Sequence, residues 1–577
     1  MLDLISLRTA RALVVCLVVV ALALSTFAAT ITPRDSNEIY VIVNTLHFAA
    51  TRSLEPTPYL AYGTLYPYIL LAIYAGMYLG GRLLGIYHDP ADFALAFLID
   101  PSPFYLGGRW LSAVFAAATV CVTYRIGAQF LQSRAVGLLA GLLLVLNKVY
   151  FLRAQLALPD AAVMFFSTLL VYYALAILQA PATRHYVLGG ALAGLVAGTK
   201  ANGLLTVVAW PVAHVLSSRL HPGQRIFDVR LLYSALAAVG ALFLVHPYFF
   251  LKFHEVTTLV SYEAERTLQV ANASADPSYF WIPMRLARDN AFLAAAYFLG
   301  FLYSVTALLR RNAVHGLLVL VTATYVLVVG RHTIQNIHLL LPVFPLLSIM
   351  SASAFAHCFK AWRHPAPRTA VISMVLAILA YSSVQYSGMI RIWMLPTPQE
   401  LARRWIEQRI PRDTLIALDS YERGPQLFTL ERFLSNERAQ DYRASLPGDV
   451  RSRLATYAQA HGAYRTVRAR YYHQRPSWPA TFSQEQVRRF TSDPFLELEY
   501  RLHWRTIDEL RLAGAAYLVS TWTPTPAEVR TYPRDHVLFA AHQRKLDFYA
   551  SLRPDNGVVA LAQFGPIAVY SLAPNRD

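Results

Sequence analysis

Four places in this sequence set an ionisable side chain beside or inside a long apolar run, where such a group is costly and therefore a functional candidate. The first is Arg34-Asp35-Ser36-Asn37-Glu38, directly after the uncharged run at residues 12–30. Spaced three apart on a helix, Asp35 and Glu38 would share one face. Either could act there as a general base. The same spacing also fits a helix start, with Asp35 as N-cap and Glu38 closing a capping box. The second place is Pro159-Asp160, at the head of another apolar run, where Asp160 can again be a catalytic carboxylate or a cap. The third is Gly198-Thr199-Lys200-Ala201-Asn202-Gly203, which interrupts the apolar stretch 187–217. A lysine there needs a partner, water or a bound anion such as a phosphate, unless it snorkels to the surface. The fourth is Arg331 to His338. Arg331 has the planar donor fork that grips a phosphate, or it is a solvated loop charge. His246-Pro247-Tyr248 ends a further run, where the proline is also a helix stop.

The chain around these residues is built for a bilayer. Of its 577 residues, 56% are hydrophobic and 15% are charged, against about a quarter charged in soluble domains. Runs of about 20 apolar residues match the hydrocarbon thickness. They predict about eleven spans: 12–30, 109–126, 134–150, 161–180, 187–199, 203–217, 230–247, 291–309, 314–330, 338–358 and 369–391. The first is read as a retained signal-anchor. The net charge of +17 does not point to nucleic acid, because the basic clusters fall in alternate loops: Arg8/Arg11, Arg125/Arg134, Arg184, Arg219/Arg225/Arg230, Arg310/Arg311 and Lys360/Arg363/Arg368. The positive-inside rule makes those loops and the N-terminus cytoplasmic, and all four candidate places external. Residues 31–108 then form a long external loop, with 66–84 lying as a helix in the interface. A second external segment covers 248–290. Cys16, Cys121 and Cys358 all sit in apolar runs, so neither a disulfide nor a metal cluster is read from them.

From about residue 393 the composition becomes that of a soluble domain. Thr397-Pro398-Gln399-Glu400 reads as an N-cap, a first-turn proline and a capping-box glutamate, with a helix to about Gln408. Strands are predicted at Thr414 to Leu418, Ala516 to Ser520 and Ile567 to Leu572. The expected architecture is thus an all-α polytopic bundle over 1–392 and an extracytoplasmic α/β domain over 393–577. Cations and carboxylates gathered on one membrane face suit a definite task. The cations hold an anionic lipid head group while a carboxylate takes a proton from an acceptor.

At these same residues the chain resembles the glycosyltransferase C superfamily. It looks most like family 39, which includes protein O-mannosyltransferases and is similar to the lipid A aminoarabinose transferases. The matching pieces are Asp35 with Glu38, Tyr62-Gly63-Thr64-Leu65-Tyr66-Pro67, Arg109 at the second span, Pro159-Asp160, Gly198-Thr199-Lys200, His246-Pro247-Tyr248, His338 to Pro345, and Trp405-Ile406-Glu407. The resemblance implies an inverting transferase that uses a polyprenyl-phosphate-linked sugar on the extracytoplasmic side of a bacterial cytoplasmic membrane. The acceptor would be a protein, a lipid or a glycan. By the same analogy Asp35 is the base, Arg109, Lys200 and Arg331 stabilise the phosphate, and Asp160 positions the acceptor or assists the base. Tyr66, His246 and His338 are further site candidates. No cofactor is required by the resemblance, and a divalent ion is open because some members use one. Two departures stand out. Ser36 and Asn37 separate carboxylates that are often adjacent in relatives, which leaves the base open between Asp35 and Glu38. His246 stands where an asparagine is usual. The alternatives from other classes are a transporter or flippase, against which no paired halves are detected, and a non-catalytic receptor.

Overall fold

The computed structural model describes residues 6–29, 37–56, 63–257, 261, 279–331, 335–361, 365–420, 424, 425, 427, 448–472, 502–522 and 539–572. They form two compact units. One comprises Met1–Gly80 with Ser102–Met394, and the other Gly81–Pro101 with Leu395–Asp577. The second unit resumes at Leu395, close to the change of composition near residue 393, and it also takes in the stretch 81–101, which was expected within the membrane module.

The first unit is helical, and a helix stands at each of the eleven predicted spans. In chain order the helices are α1 (Leu7–Ala29), α2 (Glu38–Thr51), α3 (Leu65–Leu83), with α4 (Pro90–Ile99) belonging to the second unit, then α5 (Ser102–Phe130), α6 (Arg134–Val145), α7 (Lys148–Arg153), α8 (Asp160–Gln179), α9 (Thr183–Ala197), α10 (Ala209–Leu220), α11 (Val229–Val245), α12 (Tyr248–Leu251), α13 (Trp281–Leu309), α14 (Ala313–Gly330), α15 (Phe344–Ala361) and α16 (Pro365–Met394). Two of them are entered through 3₁₀ turns, Ala201–Val208 before α10 and Ile337–Val343 before α15. Seven described stretches are long and apolar enough to cross a membrane: Ser102–Phe130, Asp160–Gln179, Ala201–Leu220, Trp281–Leu309, Ala313–Gly330, Ile337–Lys360 and the one opening at Ala366. The protein is an integral membrane protein. The predicted span 134–150 is divided, because Asn147 ends α6 and caps α7 by accepting from the Val149 and Tyr150 N–H groups.

Helix α8 lies among α5, α9 and α10 and is buried along most of its length. Small residues let its neighbours approach. Gly190, Gly194 and Gly198 recur every fourth position, and α9 runs parallel to α11 along this stripe. A Cβ on Gly190 would run into the Ser234 carbonyl, one on Gly194 into the Ala238 carbonyl, and one on Gly198 into Val245. Without a hydrophobic force between helices in lipid, such backbone approach is what holds them together.

The second unit, taken by itself, is a layered α/β fold. Its helices are α4, α17 (Pro398–Arg409), α18 (Gly448–His461), α19 (Ile507–Leu512) and α20 (Phe539–Ala550). A five-stranded sheet has the order β2-β1-β5-β7-β6, formed by β1 (Leu415–Leu418), β2 (Arg465–Arg468), β5 (Tyr517–Ser520), β6 (Val559–Phe564) and β7 (Ile567–Ser571). Strand β1 pairs in parallel with both β2 and β5, and β7 is antiparallel to β5 and β6. A separate hairpin joins β3 (Arg470–Tyr472) to β4 (Leu502–Trp504). Ile416 and Leu418 pack with Ala402 and Ile406 of α17 on one face, while Ala417 and Leu518 pack with Leu510 of α19 and Phe548 of α20 on the other. Thr397 caps α17 as predicted. Glu400 does not close the box; its carboxylate takes Arg403 and Arg404 instead. The Arg403 hydrogen bond holds that carboxyl below its usual range. Arg453 of α18 grips Asp89 at 2.6 Å and also Asp92 of the 81–101 segment, which ties that segment into the unit.

Replacing Gly194 by leucine must push α9 off α11. Overpacking of this kind costs about 1–3 kcal/mol or more. The melting temperature of the purified protein in detergent is expected to fall by several degrees, and an unchanged melt would show that the close approach does not carry the helix pair.

Candidate active site

Glu38 opens α2 and is fully buried. The capping-box expectation fails here. Asn37 is the N-cap and makes no side-chain cap bond. The Glu38 carboxylate instead receives two parallel bonds from Arg109, Nε to Oε1 and Nη2 to Oε2, both 2.8 Å. The Ala157 N–H donates to Oε1, also at 2.8 Å. A planar fork on a carboxylate fixes both partners in orientation as well as distance. Arg109 does not open its span; it lies two turns inside α5, 3% exposed, with its guanidinium 5.5 Å from the Tyr105 ring centroid.

The segment 154–159 is drawn against α5 by the same groups. Gly108 lets it come close, since a Cβ there would stand 2.6 Å from that of Ala157. The Ser112 hydroxyl donates to the Leu158 carbonyl at 3.2 Å. The Tyr66 hydroxyl donates to the Gly108 carbonyl at 2.6 Å and stands 2.9 Å from the Ser112 oxygen. The chain therefore reaches Pro159 already anchored on α2 and α5.

Asp160 then begins α8. It too is not a cap, for Pro159 holds that position without a side-chain bond. Its Oδ1 accepts from the Lys200 ammonium at 2.6 Å, and its Oδ2 lies 3.5 Å from Arg153 Nη1. Lys200 thus has a carboxylate partner and does not simply snorkel. Arg153 also donates from Nη2 to His338 Nδ1 at 2.9 Å. A guanidinium cannot accept, so His338 Nδ1 carries the lone pair. Two cationic side chains and an imidazole are thereby brought to one carboxylate at the heads of α8, of the 3₁₀ turn before α10 and of the one before α15.

The remaining predicted residues extend this network. Gly63 N–H donates to the Thr199 carbonyl at 3.1 Å and Leu65 N–H to the Gly198 carbonyl at 3.0 Å. A side chain on Gly63 would collide with that Gly198 carbonyl. Thr64 spends its one hydroxyl hydrogen on the Val245 carbonyl. It must therefore accept from His246 Nδ1, 3.0 Å away, which fixes His246 as the Nδ1–H tautomer and turns Nε2 into its acceptor.

The structure thus joins Glu38, Tyr66, Arg109, Asp160, Lys200, His246 and His338, spread over three hundred residues of sequence, at one end of the bundle. Asp35 lies outside the described residues, as does Tyr62. Arg331 is exposed at the C-terminus of α14, and among the described residues no hydrogen bond of this network reaches it. Arg153 and Asn202 were not singled out by sequence. Asn202 Nδ2 donates to the Tyr325 hydroxyl at 3.0 Å and to the Leu339 carbonyl at 3.3 Å, holding the two 3₁₀ entries together. The one available signal for Arg153 was its charge, seven residues before Asp160. Among the described residues no group of three or more His, Cys, Asp and Glu is placed to hold a metal ion.

Residues 97–260 match the family model of dolichyl-phosphate-mannose-protein mannosyltransferases. No curated protein matches the chain by sequence. Among solved structures it is similar to ArnT from Cupriavidus metallidurans bound to undecaprenyl phosphate, with TM-score 0.51 and 13% identity over 97% of this chain and 98% of that one. The apo state of the same protein gives TM-score 0.50 and 14% identity, covering 98% of each chain. The archaeal oligosaccharyltransferase AglB from Archaeoglobus fulgidus is a more distant likeness, at TM-score 0.45 and 11% identity over 97% of this chain and 88% of that one. The chain has an ArnT-like fold, and the segment that matches the mannosyltransferase family model contains Arg109, Asp160, Lys200 and His246.

Breaking a buried ion pair from one side strands a charge and costs about 3–5 kcal/mol, whereas replacing both partners by apolar groups is far milder. Arg109→Met alone is expected to destabilise the protein more than the double variant Glu38→Leu/Arg109→Met. A double variant that is as unstable as the sum of its singles, measured by thermal melts in detergent, would contradict a direct coupling.

Proposed function

We propose that the protein transfers a sugar from a polyprenyl-phosphate carrier to an acceptor hydroxyl, with inversion, at the extracytoplasmic face of a bacterial cytoplasmic membrane. The observation that carries this reading is the convergence of Lys200 and Arg153 on Asp160 within a glycosyltransferase C fold. The similar protein ArnT is described as bound to undecaprenyl phosphate, which is the leaving group that this reading requires. The positive-inside distribution of Arg and Lys supports the sidedness.

In the proposed step the acceptor O–H gives its proton to a carboxylate. The acceptor oxygen attacks the anomeric carbon from the face opposite the phosphate. The bond from that carbon to the phosphate oxygen breaks, and its electron pair leaves with the polyprenyl phosphate. Negative charge grows on the phosphate as the bond breaks, and fixed cations placed there stabilise it most. Lys200 and Arg153 fill that role, with Asp160 holding the ammonium in position. Arg109 is assigned to Glu38 rather than to the phosphate, since its Nε and Nη2 are committed to that carboxylate. Glu38 is correspondingly a poor base: three donors already lie on its two oxygens. That leaves Asp35 as the base, with Glu38 a positioning residue. Arg331, outside the network, is at most a contact to the lipid head group at the rim.

The test uses the full chain in nanodiscs, radiolabelled polyprenyl-phosphate sugars and membrane extract as acceptor. Asp35→Asn is expected to lower turnover by about 10²–10⁴-fold, the usual weight of a general base. Lys200→Met and Arg153→Met should each cost about 10²-fold or more in kcat. Glu38→Gln should act mainly on thermal stability. Wild-type protein that neither transfers nor hydrolyses any lipid-linked sugar, with Asp35→Asn and Glu38→Gln both complementing a deletion strain, would defeat the transferase reading.

A further inference from the structure

The soluble unit carries a second site that the transfer chemistry does not use. Asp419 follows β1 directly, at the carboxyl end of a strand flanked by parallel neighbours on both sides. The chain leaves β1 through α18 to β2 on one side. It later returns to β5 on the other. The sheet therefore has its topological switch point between β1 and β5, and ligands of open α/β sheets bind outside the strand ends at such a point.

Asp419 is 2% exposed. One carboxylate oxygen, Oδ2, accepts from the Thr521 N–H at 2.8 Å and the Tyr549 hydroxyl at 2.7 Å, while the Ser520 hydroxyl, 3.3 Å away, gives its one hydrogen to the Trp522 carbonyl at 2.9 Å. The other, Oδ1, is buried without a partner among the described residues. An acceptor left so is costly. A second orphan lies in the aromatic cluster around Tyr549, the buried indole N–H of Trp504. The Trp504 ring centroid is 5.3 Å from that of Tyr549, whose hydroxyl is on Asp419, and the Trp522 ring packs on Tyr549 at 4.7 Å. A metal ion would satisfy the carboxylate but not the indole donor. Hydroxyl groups satisfy both kinds of atom, because each donates and accepts through one oxygen, and a sugar carries several.

We propose that this end of the sheet binds a saccharide, with Asp419 Oδ1 accepting from a sugar hydroxyl and Trp504 Nε1 donating to one. The proposal rests on residues of the second unit alone and stands whether or not the proposed transfer occurs.

The experiment is saturation-transfer difference NMR on the full chain in nanodiscs, with free mannose, galactose, glucose, arabinose and N-acetylglucosamine as probes and an unglycosylated Ser/Thr peptide alongside. Asp419→Asn keeps an oxygen for the two existing donors and turns the open acceptor into a donor. Trp504→Phe keeps an aromatic ring and removes the N–H. At least one sugar is expected to receive saturation from wild-type protein. Its affinity should fall about tenfold in Asp419→Asn, the loss of one hydrogen bond to a charged group, and a few-fold in Trp504→Phe, with both variants melting near wild type. Sugar binding that survives in Asp419→Asn, or a signal from the peptide alone, overturns the proposal. So does the absence of any sugar signal, and then a higher melting temperature in Asp419→Asn would mark the open oxygen as a structural cost. Because the readout is dependence on Asp419, its failure is distinct from a failure of Asp35- or Lys200-dependent transfer.

Discussion

An ion inside an apolar bundle has to find its counter-ion there, and this constraint organises the membrane unit. Neither Glu38 nor Arg109 could remain charged alone at its observed burial. Together they tie the start of α2 to the second turn of α5, and the Ala157 N–H on the same carboxylate brings in the segment that leads to Asp160. Asp160 repeats the arrangement with Lys200 and Arg153. The two clusters are only three residues apart along the chain, from Ala157 to Asp160, so the position of one fixes the other. A network of this kind adds little net stability, because desolvation offsets most of its attraction. What it supplies is geometry.

Broken helices provide the rest of that geometry. Backbone groups freed at a break inside the membrane need partners from the protein itself. Here they find one another: the Gly198 and Thr199 carbonyls take the N–H groups of Leu65 and Gly63, and Asn202 joins its own 3₁₀ entry to the Leu339 carbonyl in the next. Glycines at 63, 108 and 198 make these approaches possible. Lys200 emerges at such a break, with its backbone extended rather than helical. A lysine one turn later, inside the 3₁₀ segment Ala201–Val208, would present its ammonium along a helix flank instead of at the head of α8.

Much of this was legible in the sequence, and the reasons for the misses are physical. Apolar runs located the spans, since length and lack of charge are local properties. Asp160 and Lys200 stood out because ionised groups in apolar sequence are rare. The capping readings of Glu38 and Asp160 failed because a cap is a local interaction, while Arg109, Lys200 and the Ala157 N–H are brought in by packing of distant segments. Arg153 drew no notice for a related reason: an arginine between two spans is ordinary until His338 and Asp160 are folded onto it. In the soluble unit the apolar strands β1, β5 and β7 were visible. Strands β2, β3, β4 and β6 were not; Arg465 to Tyr472 and Leu502 to Trp504 are rich in arginine and aromatic residues without a clean alternation, and Val559 to Phe564 is a sheet edge whose side chains are exposed or half-buried. Asp419 gave no local sign either; an aspartate after a strand usually starts a turn, and its unpaired oxygen exists only once Thr521 and Tyr549 have taken the other.

The proposed transfer requires Lys200 and Arg153, gathered on Asp160, to seat a lipid phosphate. The most direct measurement is the thermal shift that undecaprenyl phosphate produces in wild-type protein and in Lys200→Met. A ligand that binds only the folded state at a hundred times its dissociation constant stabilises by about 2.7 kcal/mol. The account predicts a rise of several degrees for wild type and little or none for Lys200→Met, while an uncharged polyprenol shifts neither. An equal shift in both proteins, or the same shift with the polyprenol, would contradict it.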